Sequence, residues 1–260
     1  MNRIINRKKE INAGIVKDIE IYPIYQNSRR KSARAAKTKL SREAQQKLND
    51  KNAKKKLFYI LNANFDENDH HITLSYDESN LPPDEKSAEH DVELFLRRLR
   101  RASQKHGFNY KYIAVVELGV ENGRLHHHIV AKTGLAAEVI KKMWKYGYCN
   151  ADRLEIREDV LKGLTNYLVK APKGKKRWRY SKNLNRPYLR PEISDNRTSR
   201  KTVRNIILHQ NDKEWFAQQF PGFELVNCEI KKNEYIRGSY VYLRLRKKRE
   251  IDKERRRRTA

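Results

Sequence analysis

Two apolar runs, residues 112–117 and 125–130, flank a short segment that opens at Gly119 and closes at Gly123. Strand-like runs on either side of a glycine-bounded turn predict an antiparallel hairpin. A hairpin commits the surrounding chain to sheet. The second run follows Gly123-Arg124-Leu125 and reads His126-His127-His128-Ile129-Val130, holding three of the chain's eight histidines. Side chains alternate along a strand, so His126 and His128 share one face and His127 takes the other. A regular strand turns His127 toward the helix-packed side, whereas a β-bulge would reverse the assignment.

Residues two apart on a strand face stand about 6–7 Å from each other, a spacing at which two imidazoles grip one metal ion. The hairpin also brings Glu117, at the end of the first run, close to this pair. Two imidazoles and a carboxylate suit Mn²⁺ or Mg²⁺, with Zn²⁺ open on ligand type alone. Each feature has a plainer alternative: a His-x-His pair buried or solvated, and a glutamate flanking a turn.

Tyr167-Leu168-Val169-Lys170 closes a helical segment expected to begin near Arg157, with Leu161, Leu164 and Leu168 at buried-face spacing. Tyr167 and Lys170 are three apart and share another face. A phenol with its ordinary pKa of about 10 is a weak nucleophile. A neighbouring ammonium or a polarised phosphate is needed to make it attack at neutral pH. The alternative is a packing tyrosine with a polar tip.

The formal net charge is +27, far more than solubility requires, and directs the chain toward nucleic acid or another anionic surface. With 38% hydrophobic and 35% charged residues, the core is modest and the surface very polar. No run approaches the roughly 20 apolar residues of a membrane span, and the N-terminus lacks a signal-peptide core. Cys149 and Cys228 form neither a disulfide framework nor a zinc pattern, which reads as a reduced, cytoplasmic protein.

Together these residues resemble the HUH endonucleases, single-strand nickases that start rolling-circle replication. The family pattern is His-hydrophobic-His on a strand, then a tyrosine on a later helix, often as Tyr-x-x-Lys. His126 and His128 match the first motif and Tyr167 and Lys170 the second. His71-Ile72-Thr73-Leu74-Ser75-Tyr76 is similar to the family's leading strand, and the order along the chain is the family's. His127 departs from the bulky hydrophobic usual at that position. Trp144-x-x-Gly147 and the run from Arg177 to Leu184 look like replication initiators of bacterial plasmids, phages and integrated mobile elements.

The resemblance implies an α+β fold of RRM or ferredoxin-like type, a central antiparallel sheet with flanking helices and the metal site on one face. It implies a divalent ion, Mn²⁺ or Mg²⁺, held by His126, His128 and Glu117. It assigns Tyr167 as the nucleophile that forms a 5′-phosphotyrosine and a free 3′-OH, with Lys170 assisting. Only one tyrosine occupies the motif, because Tyr180 lies beyond a helix break at Pro172. The partner is single-stranded origin DNA, possibly in a hairpin. No G-x-x-x-x-G-K-[ST] loop is present, so unwinding and extension fall to a host helicase and polymerase.

The chain reads as a basic, partly helical extension over 1–56, a nuclease core over 57–190, a helix and strands packing on that core over 191–250, and a basic tail over 251–260. In the last strand Tyr240, Tyr242, Arg244 and Arg246 share a face that is expected to be free for DNA. Interleaved cations and aromatics serve single-strand binding, since rings stack on bases while cations meet phosphates. The candidate contacts are Arg124, Lys173, Lys175, Lys176, Arg177, Trp178, Arg179, Tyr180, Lys182 and Asn183.

Three other readings compete with this one. A noncatalytic nucleic-acid binder shows the same charge without metal dependence. A phosphohydrolase with three alternating histidines fails at Val130. A conjugative relaxase shares the chemistry but usually carries its motifs in permuted order.

Overall fold

The structure, a computed structural model, describes residues 3–26, 42–118, 125–168, 178–195, 198–233 and 235–248. In chain order the elements begin with β1 (Ile4–Ala13), β2 (Val16–Tyr25), α1 (Arg42–Asn64), β3 (His70–Ser75), α2 (Glu85–Lys105), β4 (Lys111–Leu118), β5 (Leu125–Lys132) and α3 (Ala137–Lys142). They continue with β6 (Cys149–Arg153), α4 (Lys162–Leu168), β7 (Arg179–Tyr180), β8 (Glu192–Ser194), α5 (Arg200–Leu208), α6 (Lys213–Gln219), β9 (Phe223–Lys232) and β10 (Ser239–Lys247). The fold is α+β, with two antiparallel five-stranded sheets where the sequence suggested one. Two compact units emerge, Asn64–Asn185 and the pair Met1–Ala63 with Arg186–Ala260. Among the described residues no helix is long and apolar enough to cross a membrane.

The unit over Asn64–Asn185 is built on the strand order β6-β3-β5-β4-β7. Helix α2 starts at an Asp84 cap, whose carboxylate accepts from Ser87 N at 2.7 Å. Its buried Ala88, Val92, Phe95, Leu96 and Leu99 fall at helical spacing. They meet Ile72, Leu74, Ala114, Ile129, Cys149 and Ala151, alternate positions from one face of the sheet, and form a single core. In α3 and just after it, Ile140 and Trp144 are buried, while Val139, expected on the apolar side, is 43% exposed.

Trp144 Nε1 donates to Ser75 O at 2.9 Å, which anchors the end of β3. Gly147 follows at φ +147, and a Cβ there would stand 2.5 Å from Asp77 N and 2.6 Å from Ser75 O. Backbone passes so close to backbone that only glycine fits, which gives the Trp144-x-x-Gly147 pair a structural reason.

The other unit has the strand order β8-β1-β2-β10-β9. Ile19 and Ile21 from β2 join Val241, Leu243 and Leu245 from β10, and Val203, Ile206 and Phe216 from α5 and α6 cover them. This corrects three expectations. The N-terminal segment contributes two ten-residue strands and is more than a basic extension. The boundary expected after residue 56 falls inside α1, because the shift to apolar residues at Leu57 happens midway along one helix. The late strands pair with β2 and with each other, extending this second sheet.

The Tyr242 and Arg244 face of β10 is also not free for DNA. Buried Asp18 accepts Arg244 Nε at 2.9 Å and Nη2 at 2.8 Å, Tyr59 Oη at 2.7 Å and Tyr242 Oη at 2.5 Å. The Arg244 guanidinium lies 3.9 Å from the centre of the Phe58 ring. A buried carboxylate requires such a cation, and the two come from opposite ends of the chain.

Candidate active site

Strand β5 lies between β3 and β4, and its register places every candidate side chain. His126 stands opposite Ser75 and Glu117, and His128 opposite Thr73 and Val115. Both registers run without a break past His127, so no bulge reassigns the histidines. His126 and His128 therefore share one face of the sheet, and Glu117 is the register partner of His126.

His127 points into the core on the α2 side and is fully buried. Its Nε2 lies 3.1 Å from Tyr76 Oη, which also donates to Ala88 O at 3.3 Å. With that proton committed, His127 Nε2–H is the donor to Tyr76, and Nδ1 is left as a buried acceptor without a partner. Burial, helped by the neighbouring His128 and His126, pushes this imidazole down to about 3. A neutral, space-filling ring is what the helix-packed side of the sheet accommodates.

Helix α4 brings Tyr167 to the opposite face. The helix starts at Lys162, five residues later than expected. Val160 adopts φ +57 and Arg157 bridges back to it, a turn that cannot continue as helix. Leu161, Thr165 and Leu168 are buried, which leaves Tyr167 38% exposed. Its Oη lies 3.2 Å from His128 Nε2. Thr73 Oγ1 lies 3.4 Å from Nδ1 of the same ring. The consistent arrangement has Nδ1–H donating to Thr73 and the Nε2 lone pair receiving the phenol proton. Burial, helped by His71 and His126, lowers the His128 imidazole to about 4. His128 is thus neutral at physiological pH, the state in which an imidazole accepts a proton or ligates a metal.

His71 has no role at the site in the sequence motif, yet its ring stacks on His128 with centroids 5.6 Å apart and meets Tyr167 edge-on at 6.2 Å. Its Nε2 is buried without a hydrogen-bond partner, and burial lowers the imidazole, with Asp152 acting in the opposite sense. The signal lies in the alternation His71, Thr73, Ser75. Reading it requires knowing that β3 is the neighbour of β5.

Among the described residues no group of three His, Cys, Asp or Glu side chains is gathered as a metal cage. The fit of a divalent ion rests on the donor set, His126 and His128 on one sheet face with Glu117 at the adjacent register position.

Arg124, Lys170, Lys173, Lys175, Lys176 and Arg177 lie outside the described residues. Trp178 is half-buried just before β7. Arg179, expected on DNA, is instead engaged by two carboxylates of α2, Glu93 at 2.6 Å and Glu89. It is turned to the α2 side because it pairs with Ala114, a core-face position. Tyr180, Lys182 and Asn183 line a cleft at the β4 edge of the sheet.

Residues 69–172, less than half of the chain, match the family model described as Replication-associated protein ORF2. The match spans β3 to the end of α4, the segment that holds all the candidate catalytic residues, and it supports a replication-initiator role. No curated protein and no solved structure gives a significant match.

Proposed function

We propose that this protein initiates rolling-circle replication by nicking single-stranded origin DNA with Tyr167. The observation that carries the reading is the contact between Tyr167 Oη and His128 Nε2, at 3.2 Å, in the segment that matches the replication-associated family.

Tyr167 Oη attacks the scissile phosphorus as the bond to O3′ breaks. The phenolic proton is lost and a proton is gained by the departing O3′. The products are a 5′-phosphotyrosine and a free 3′-OH for a host polymerase to extend. One phosphodiester replaces another of similar energy, so the step reverses and strands rejoin. His126, His128 and Glu117 would hold a divalent ion, Mn²⁺ or Mg²⁺, which supplies charge stabilisation at the phosphate oxygens. Thr73 fixes the His128 ring through Nδ1, and His71 packs against both His128 and Tyr167. Lys170, three residues beyond Tyr167, is expected to favour the phenolate. Unwinding falls to a host helicase.

The test is a denaturing gel of protein mixed with Mn²⁺ and labelled single-stranded fragments tiled across the origin of its own element. The expected result is a shifted band that EDTA abolishes. Tight binding without an adduct on any fragment contradicts the proposal and leaves a noncatalytic single-strand binder.

A further inference from the structure

The same unit carries a second feature that the nicking chemistry does not use, a cleft of about 560 Å³ at the β4 edge of the sheet. Its wall is drawn from the last turns of α2, the residues that lead into β4, and the segment that follows β7. The volume falls in the range of small-ligand sites.

Three kinds of group converge there. Arg100 and Lys182 are exposed cations, and no carboxylate among the described residues pairs with either. Phe108 and Tyr180 present exposed rings. Phe108 is held in place because its ring occupies the space beside Gly134, where a Cβ would stand 2.3 Å from it. Tyr110 is 7% exposed and lines the cleft, yet its hydroxyl has no hydrogen-bond partner. A buried phenol left without a partner is uncommon and marks a place where a ligand atom is expected.

The walls are also fixed. Asn183 Nδ2 donates to Asn109 Oδ1 at 2.8 Å and to Tyr110 O at 3.0 Å. Ser181 exchanges bonds with Tyr112, its N donating to Tyr112 O at 3.0 Å and its Oγ accepting from Tyr112 N at 3.1 Å. A preformed cleft with cations, flat rings and an unused hydroxyl matches a nucleotide, which offers a phosphate, a π-face and a polar base edge. Tyr112 and Glu117 lie five residues apart on β4, about 17 Å at strand spacing. One DNA strand therefore reaches both places.

We propose that this cleft receives one unpaired nucleotide of the DNA strand that is nicked. Its phosphate sits at Arg100 and Lys182, its base stacks on Tyr180 or Phe108, and its base edge meets Tyr110 Oη and Gln104. The proposal rests on the reading of the protein as a single-strand nickase, and it adds a site that fixes the register of the strand on the sheet.

The test uses the full chain in EDTA, so that no metal-dependent chemistry contributes. A single-stranded oligonucleotide of about 15 residues carrying one 5-iododeoxyuridine is irradiated, and the crosslinked peptides are sequenced. Crosslinks are expected at Tyr180 or Phe108. In anisotropy titrations with the same strand, Tyr180→Ala and Arg100→Ala are each expected to weaken binding at least about fivefold, and Tyr180→Phe to retain it. Arg97→Ala, an equal loss of charge one turn away on α2, is expected to stay within about twofold.

Crosslinks that map elsewhere or do not form, or an Arg97→Ala loss equal to that of Arg100→Ala, overturn the proposal. Nicking that persists while crosslinks fall elsewhere removes the cleft alone. Crosslinks in the cleft without any Tyr167 adduct remove the nickase reading and leave the nucleotide site standing.

Discussion

Tyr167 Oη and His128 Nε2 share a hydrogen bond of 3.2 Å that joins the candidate nucleophile to a candidate metal ligand. Nε2 has one lone pair, and the Nδ1 side of the ring is turned to Thr73. Hydrogen bond and cation therefore compete for the same electrons. Removing the phenol hydroxyl frees that lone pair, and a net hydrogen bond is worth about 0.5–1.5 kcal/mol. Tyr167→Phe is thus expected to bind Mn²⁺ about two- to tenfold more tightly than the wild type in calorimetric titration. Equal or weaker binding would mean that the contact does not compete with the metal.

His126 and His128 are expected to act in chemistry more than in affinity. His126→Ala and His128→Ala should each lower adduct formation by about 10²-fold or more, a typical loss for a group that acts in the chemical step. Single-strand affinity in the same preparations should stay within about threefold, since phosphate contacts supply most of it. A matching collapse of binding would assign the histidines to DNA contact or to folding.

His127, between them, belongs to the core. His127→Ala opens a cavity on the α2 side and is expected to cost about 2–4 kcal/mol in denaturant unfolding. His127→Leu keeps the volume, removes the unpartnered Nδ1, and leaves Tyr76 Oη its bond to Ala88 O. It should fall within about 1 kcal/mol of the wild type. If leucine destabilises as much as alanine, the imidazole has a role beyond filling space.

How much of this was legible in the sequence depended on whether an element's partners were local. The histidine hairpin and α2 could be read because their periodicity is their own, and the apolar positions of each bury the face that the spacing indicates. Strands β1 and β2 were missed. They are rich in charge, and in β2 both Asp18 and Glu20 point into buried surroundings. Their counter-charges, Arg244 and Lys55, sit far along the chain, so no local pattern announced a strand. The same reason hid the engagement of Arg179 by α2. It also hid the place of His71, whose role depends on which strands are neighbours.

The Asp18 network makes the second unit sensitive to a single change. Asp18→Ala leaves the Arg244 guanidinium largely buried without its carboxylate, and breaking such a pair costs about 3–5 kcal/mol. A clear loss of thermal stability is expected, whereas a change below about 1 kcal/mol would place the network in contact with water.

Glu20 supplies an acid-sensitive contribution. Burial pushes its carboxyl up, but hydrogen bonds and charge from Lys55 and Lys9 outweigh that and hold it below the ordinary carboxylate range. The unfolded state therefore binds the proton more readily. The stabilisation is complete above the unfolded value of about 4.3 and is lost as pH falls through the folded one. The stability gap between wild type and Glu20→Gln should be present at neutral pH and close in acid. A gap that persists at acid pH would show that the lysines do not act through its charge.

The most direct test of the account is to identify the residue that carries the nucleotide. Adduct formed with Mn²⁺ and single-stranded origin DNA is digested with nuclease and protease, and the modified peptide is sequenced by mass spectrometry. The account predicts a 5′-phosphonucleotide on Tyr167, and no modified peptide from Tyr167→Phe. A nucleotide on Tyr180 or any other residue, or cleavage without a covalent peptide, would contradict it.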